Sequence, residues 1–479
     1  MHKLSTEHMV KNGTYKVPDE YYIRLHHVRP RFKDNIEDVL IFCADAISSI
    51  PRTDKESFAL TVNDRLRQFP GNVTKTEKTI SNWRTEISAL FGFIETDESE
   101  AWPGLRAKEL AEQQDLIAFF KTFLYSFQYP GAHLKSQAIK ELIEHGVKFK
   151  PAQYILNMLY WKYQQNDKEY LTKAEVCHCI FNDLRCVRDN EPPEMVWNRI
   201  LSNRRKKIEY DVKSDIIRYA GDIIDYMDQA NLLKTYDFTK YYLKTNDMDI
   251  ILRFINSTEY YSGYDEYINR RVVDYDEIKC EKNKWFAWVN RQMNTSDFST
   301  DITDIIPTEV YSPTEVKNLV DVITEDGTDA GTSSTGIAGE ALVYGHECQT
   351  LKNGGRSDLI HLVKQIPTYL ALGYDIKSLD LNEVHKCIEV KTTVSARPLQ
   401  FTRFHMTPNE WRSAESNQDM YYVYRLMISR EERKLYVMRN PVKLYKEDKI
   451  RIIPSNGMDV MFDDNVAGSY EELLTWEED

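Results

Sequence analysis

No apolar run in this chain approaches the roughly 20 residues that a membrane-spanning helix requires. The opening stretch MHKLSTEHMVKNG has no apolar signal core, so neither insertion nor export is expected. Cysteine is scarce: seven in 479 residues, an odd number. That argues against a disulfide framework and for the reducing cytoplasm of a prokaryotic cell. Cys177, Cys179 and Cys186 stand near His178, but the paired Cys-x-x-Cys spacing of a zinc knuckle is missing. LTKAEVCHCIFNDL reads instead as a helix with cysteines on its buried side. There is no Gly-x-x-x-x-Gly-Lys-Ser/Thr loop, so the chain carries no nucleotide motor of its own. No glycine-rich methyltransferase-like loop stands out, and no repeat of solenoid type.

What is present is length, apolar content and unevenly placed charge. At about 100–200 residues per domain, the chain holds two to four domains. Its 42% hydrophobic and 12% aromatic content permits real cores. The net charge of −13 argues at first against a nucleic-acid partner. Its distribution removes that objection. Residues 301–335 hold eight acids and one base, a balance of −7, and residues 463–479 hold seven acids and no base, again −7. The remainder is close to +1, so the acidity belongs to two segments and does not exclude DNA binding.

Residues 294–335 are polar, acidic and end in Gly, Ser and Thr, the chemistry of a linker. Inside them SPTEVKNLVDVI predicts a short helix, with Ser312 as N-cap and Pro313 in the first turn. Before this segment the chain reads as mainly helical. In TEKTISNWRTEISALFGFIE, Ile80, Trp83, Ile87 and Leu90 are spaced three and four apart and share one face. The other face carries Lys75, Lys78, Asn82, Arg84 and Glu86, and Phe91-Gly92-Phe93 ends the helix. This is the pattern of a winged-helix-like DNA-recognition module, assigned to residues 1–100. A second, at 101–293, is expected from the helices in FKPAQYILNMLYWKYQ, YLTKAEVCHCIFND and KSDIIRYAGDIIDYMDQANLLKTYDFTKYYL, the last turning at Asn231 into a Tyr/Phe strand pair. Between them Arg204, Arg205, Lys206 and Lys207 form a basic run suited to phosphate contact or to a solvated helix end. With Lys75, Lys78, Asn82 and Arg84 they are the candidate DNA-binding residues.

After the linker the pattern becomes α/β, in a domain assigned to 336–462 with an acidic tail at 463–479. GIAGEALVYGHECQTLKNGG reads as a helix stopped by Gly354-Gly355. SDLIHLVKQI, GYDIKSLD, KCIEVKTT and LQFTRFHM read as strands. TPNEWRSAES starts a helix with Thr407 as N-cap, Pro408 at the first position and Glu410 closing a capping box. MYYVYRLMIS and KLYVMRN follow as a strand pair.

Phosphodiester hydrolysis near neutral pH needs charge neutralisation and an activated water, which Mg²⁺ supplies when a few carboxylates hold it. Glu389 and Lys391 are two apart on a strand and so share a face, while Ile388 and Val390 point to a core. A short turn would let the strand after Asp375 pair with theirs as a hairpin, bringing Asp375 beside Glu389. Lys391 can then orient water or stabilise phosphate charge. The cap accounts for Glu410, and Thr392 and Thr393 suit a strand. His346, His361, His385 and His405 show no ligating spacing.

Residues 336–440 resemble the PD-(D/E)XK nuclease superfamily, in a form found at the C-terminus of restriction and other phage-defence proteins. The resemblance lies in GEALVYGHE, GYDIKSLD, CIEVKTT, TPNEW and MYYVYRL, recurring in order. It implies a restriction-endonuclease-like mixed sheet with Asp375, Glu389 and Lys391 as the catalytic centre. It also implies that Glu340 supports the metal beside Asp375 and Glu389. Gly-Tyr-Asp stands here where the superfamily name has Pro-Asp. More loosely, the helical part resembles the recognition regions of type IIS restriction endonucleases, through its architecture and YPGAHLKSQAIKELIEHGVKFKPAQYILNML.

The expectation is therefore a multidomain, Mg²⁺-dependent type II restriction endonuclease, with Mn²⁺ able to substitute, that cuts double-stranded DNA at a distance from its recognition site. A transient homodimer on DNA and a separately acting methyltransferase are the expected partners. The alternatives are a nuclease-fold subunit that needs a partner within a larger defence complex, and an RNA-cutting enzyme.

Overall fold

The computed structural model describes residues 13–30, 36–213, 216–268, 270, 273–291, 295–301, 305, 313–323, 335–367, 370–455 and 457–476. The first part of the chain is mainly helical. Its helices are α1 Ile36–Ser48, α2 Lys55–Leu66, α3 Glu77–Phe91, α4 Leu105–Gln113, α5 Leu116–Ser126, α6 Ser136–Glu144, α7 Pro151–Tyr163, α8 Lys173–Val176, α9 Leu184–Val187, α10 Pro193–Arg205, α11 Ile216–Gln229, α12 Met248–Ile255 and α13 Tyr275–Val289. Six short strands interrupt them: β1 Thr53–Asp54, β2 Ile94–Thr96, β3 Glu100–Pro103, β4 Tyr170–Leu171, β5 Leu233–Thr235 and β6 Tyr241–Leu243. Then come α14 Pro313–Ile323, α15 Thr335–Asn353, β7 Lys364–Gln365, β8 Ile376–Leu379, β9 His385–Val394, β10 Arg403–Met406, α16 Pro408–Asn417, β11 Tyr421–Ile428, β12 Arg433–Arg439, α17 Pro441–Lys446, β13 Ile450–Ser455, β14 Gly457–Phe462 and β15 Ser469–Glu471.

The chain folds as two compact units, neither of them one continuous stretch. One comprises the described residues within 1–31, 81–98 and 120–292; the other, those within 32–80, 99–119 and 293–479.

In the first unit, α8 starts where Thr172 accepts from Glu175 N and Glu175 reaches back to Thr172 N, a full capping box. The helix continues as a π-helix over Cys177–Phe181. Cys177, Cys179 and Cys186 are buried free thiols, and Cys186 donates to the Cys179 carbonyl at 3.2 Å. They are core residues, as the helical reading expects. Helix α11 buries Ile223, Ile224 and Met227 and leads into the β5–β6 hairpin. Strand β4 pairs with β6, giving the order β4–β6–β5, antiparallel throughout.

The second unit centres on a six-stranded sheet of order β15–β12–β11–β9–β8–β7. All its pairs are antiparallel except β9 and β11, which run parallel. A parallel pair needs a crossover connection, and β10 and α16 lie in it. One face packs Ile376, Ile388, Val394, Leu426 and Leu435 with Ala338, Ala341 and Leu342 of α15. The other packs Tyr421, Val423, Tyr436 and Met438 with Trp411 and Ala414 of α16. Burial on both faces explains why MYYVYRLMI reads as a continuous apolar run rather than an alternating one.

Two strand expectations are corrected. Most of SDLIHLVKQI is a 3₁₀ turn, Ser357–Leu362, followed by the two-residue β7. Leu359 N bonds back to the Arg356 carbonyl, and the Arg356 guanidinium grips Asp358 with two hydrogen bonds, so local polar chemistry outcompetes the ladder. LQFTRFHM contributes only β10, which pairs with β14 in a separate sheet of order β10–β14–β13. The acidic segment from 463 also contains β15, an edge strand on β12. Helix α14 forms where the Pro313 signal predicts it, while its expected cap, Ser312, and most of 294–335 lie outside the described residues.

Candidate active site

The β8–β9 hairpin pairs Ile376 with Ile388, so the register carried one step further sets Asp375 beside Glu389. The Asp375 amide donates to the Ile388 carbonyl at 2.9 Å, and its carboxylate accepts from Val390 N at 2.8 Å. Both ends of the residue are thereby fixed to β9. The preceding Gly373 has φ +75°, and a Cβ there would come within 2.7 Å of the Asn409 carbonyl. Only glycine suits that turn, while Tyr421 Oη donates to the Gly373 carbonyl at 2.8 Å. Gly-Tyr-Asp is thus a backbone device that seats the acid.

Glu389 is 4% exposed. Lys391 Nζ lies 2.8 Å from Glu389 Oε1 and 2.8 Å from Glu410 Oε2. Glu410 therefore does two things: it closes the capping box of α16, accepting from Thr407 N at 3.1 Å, and it holds the lysine. The cap explained it from sequence, so its contact with Lys391 was not legible there. Across the site, Glu340 of α15 accepts from Gln365 Nε2 at 2.6 Å. Gln365 is a site residue that no motif signalled.

Electrostatics agree with one shared site. Burial raises the Glu340 carboxyl to about 7, with the Asp375 charge adding to it against the Gln365 hydrogen bond and Lys391. Burial also raises Asp375, opposed by the Val390 amide and Lys391. Glu389 is pushed well up by burial, and Asp375 and Glu410 add to that against Lys391. For Lys391 burial works against the charge, but Glu389 and Glu410 outweigh it and raise the amine. Glu410 goes the other way: burial would raise it, and Lys391 and the cap hydrogen bonds win and lower it. Four acids share one amine in a desolvated place, so three of them are pushed toward the protonated form.

Oxygen donors of this kind suit a hard divalent cation. Among the described residues, no three His, Cys, Asp or Glu side chains already stand in a ligating arrangement; Lys391 supplies the counter-charge. Beneath the site, Arg425 is 1% exposed and donates to the Lys391 carbonyl at 2.9 Å and to Thr393 Oγ1 at 2.6 Å. Burial lowers it to about 10. Thr393 is engaged with Arg425 and with Gln114, a structural role. The four histidines do not come together: His361 and His385 are exposed, His346 Nδ1 accepts from Leu474 N, and His405 Nδ1 lies 2.9 Å from Asp459.

The candidate DNA-binding residues divide. Ile80, Trp83, Ile87 and Leu90 of α3 are all buried, and Lys75, Lys78 and Asn82 are exposed, with Arg84 partly so. Arg205, Lys206 and Lys207 are exposed at the end of α10. Arg204 instead turns inward to Glu175 at 2.7 Å and Glu169 at 2.6 Å, and donates to the Tyr170 carbonyl.

Comparison with known proteins gives the class first. Residues 15–286 match the family model described as "Restriction endonuclease BpuJI - N terminal", and residues 339–438 match "Protein NO VEIN, C-terminal". The first match spans more than half of the chain, which therefore belongs to the BpuJI N-terminal restriction endonuclease family. A crystal structure described as pyrene- and phenanthrene-modified DNA in complex with the BpuJ1 endonuclease binding domain shares the fold. It matches at a TM-score of 0.51 and 24% identity, over 57% of this chain and 99% of that one. No match was found among curated proteins.

Proposed function

We propose that this chain is a Mg²⁺-dependent, site-specific DNA endonuclease of the type II restriction class, with an N-terminal reader and a C-terminal cutter. The observation that carries the reading is the convergence of Asp375, just before β8, with Glu389 and Lys391 of β9 in a chain of a restriction endonuclease family. The crossover β9–α16–β11 and the packing of α15 on the sheet fit a PD-(D/E)XK core. The helix-then-hairpin order α11–β5–β6, with β4 completing the sheet, fits a winged-helix-like module, and the structural neighbour's own DNA complex supports DNA as the partner.

In this reading Asp375, Glu389 and Glu340 would hold the metal, which when bound neutralises phosphate charge and lowers the pKa of a water. Val390 N fixes Asp375, so one ligand is preorganised. Lys391 orients the attacking water or stabilises the negative charge on phosphate. Glu410 restrains Lys391 and keeps it protonated. Recognition by the N-terminal part and cutting by the C-terminal part predict cleavage away from the recognition site, in the IIS manner. Two strands need two such centres, hence a transient homodimer on DNA.

Purified full-length protein incubated with phage or plasmid DNA and Mg²⁺ should give discrete fragments, which sequencing of their ends would map to one offset from one motif. Parallel RNA substrates should stay intact. One observation favours a second reading, a subunit that waits for a partner: Lys391 is clamped between Glu389 and Glu410. Cleavage only after a partner protein is added would select that reading.

A further inference from the structure

Away from the acidic site, the β5–β6 hairpin carries an unusual tip. Tyr236 is 80% exposed and Phe238 56% exposed. Large aromatic rings normally lie inside. The turn that presents them is tightly held. Thr235 Oγ1 accepts from Phe238 N at 2.9 Å, and the Asp237 carboxylate accepts from Thr239 N at 3.0 Å and Lys240 N at 3.2 Å. Phe238 sits at φ +54°, an uncommon conformation for a bulky residue. Below the tip, buried Tyr241 donates to Asp225 at 2.6 Å. The rings are thus displayed from a rigid base rather than left on a loose loop.

Their surroundings are cationic and aromatic. From Leu232 to Lys244 the hairpin has three lysines and one aspartate, a balance of +2. Lys234 and Lys240 are exposed. Lys240 Nζ lies 4.9 Å from the centre of the Tyr170 ring, and the Arg204 guanidinium lies 4.1 Å from the same ring. Arg204 is therefore the inward anchor of a basic helix end whose next residues, Arg205, Lys206 and Lys207, are exposed. Tyr242 continues it, 5.6 Å from Tyr170 and 6.2 Å from Tyr236. Lysines complement phosphates, and ring faces complement base faces.

We propose that this tip is a DNA-contacting wedge: Tyr236, with Phe238, packs against bases at one step of a bound duplex while Lys234 and Lys240 contact the flanking phosphates. The inference rests on the DNA-binding reading above and adds residues that the sequence left unassigned. It is independent of cleavage. Binding of a fluorescein-labelled mixed-sequence duplex is measured as salt is varied, for wild type, the double variant Tyr236→Ala/Phe238→Ala, Tyr236→Phe and Lys240→Ala. The aromatic double variant should lose roughly tenfold in affinity with its salt slope unchanged, because stacking is not counterion release. Tyr236→Phe should keep wild-type affinity, and Lys240→Ala should lower the slope by roughly one. Circular dichroism and Tm should match wild type in each, since these side chains lie outside the core. Wild-type affinity in the double variant, or a change in its oligomeric state instead, would overturn the wedge alone. Failure of the wild type to bind duplex would sink the DNA-binding reading and the wedge with it.

Discussion

At the scale of single residues, the site is a balance of buried charges, and Glu340 is where that balance is easiest to test. In the folded chain its carboxyl is raised from 4.5 to about 7. The folded state therefore binds a proton that the unfolded state has lost, and stability is full below about 4.5 and falls as pH climbs to about 7. Glu340→Gln removes that loss. It should leave thermal stability at pH 4.5 unchanged and raise it at pH 8 by about 1–3 kcal/mol. Equal behaviour of the two proteins at pH 8 would mean that Glu340 is solvated rather than buried beside Asp375. A bound divalent cation would favour the ionised carboxylates and release protons. Mg²⁺ should then raise the wild-type Tm more at pH 8 than at pH 5, and that difference should shrink in Asp375→Asn. Calorimetry reads this without any cleavage. Much of this site was legible in the sequence: the two-residue spacing put Glu389 and Lys391 on one face, and the short turn brought Asp375 alongside. Gln365 and Arg425 were not legible. A single glutamine near the end of SDLIHLVKQI, and an arginine inside an apolar run, carry no spacing signal; only tertiary pairing gives them partners.

At the scale of elements, α15 and β9 must lie very close for Glu340 to reach Asp375. Gly339 permits this, since a Cβ there would fall 1.9 Å from Thr392 Oγ1. Alanine normally favours a helix over glycine by about 1 kcal/mol, but overpacking costs about 1–3 kcal/mol. Gly339→Ala is therefore expected to lower Tm by several degrees and weaken cleavage together. A Tm at or above wild type would show that the helix can move off the sheet freely. A second element-level expectation concerns α16. Thr407→Ala removes half of the capping box that also positions Glu410, at a cost of about 1 kcal/mol, read as a lower urea midpoint with an unchanged m-value. Helix starts were the most legible elements, because a pattern such as Thr407-Pro408-Glu410 is one of local hydrogen bonding. The strands were less so. LQFTRFHM looks like a neighbour of β9, yet β10 joins β14, and no local feature distinguishes the two outcomes. That choice depends on β14, more than fifty residues away.

At the scale of the whole molecule, the proposed function joins a reader and a cutter in one chain. The charge distribution made that combination admissible, since the acidity is concentrated in 301–335 and 463–479 and leaves the rest near neutral. What the sequence did not foreshadow is that each compact unit is assembled from separated stretches; contacts between distant segments decide this, and composition does not record them. The family match covers 15–286 and the acid–lysine site lies beyond it, so binding and cutting should separate on mutation. Lys391, held between Glu389 and Glu410, is proposed to serve chemistry and not binding. The direct test measures duplex affinity and cleavage rate of wild type and Lys391→Ala on one DNA fragment with Mg²⁺. Equal affinity is expected, with a cleavage rate lower by about 10²–10⁴-fold in the variant. Cleavage at the wild-type rate in Lys391→Ala would contradict it.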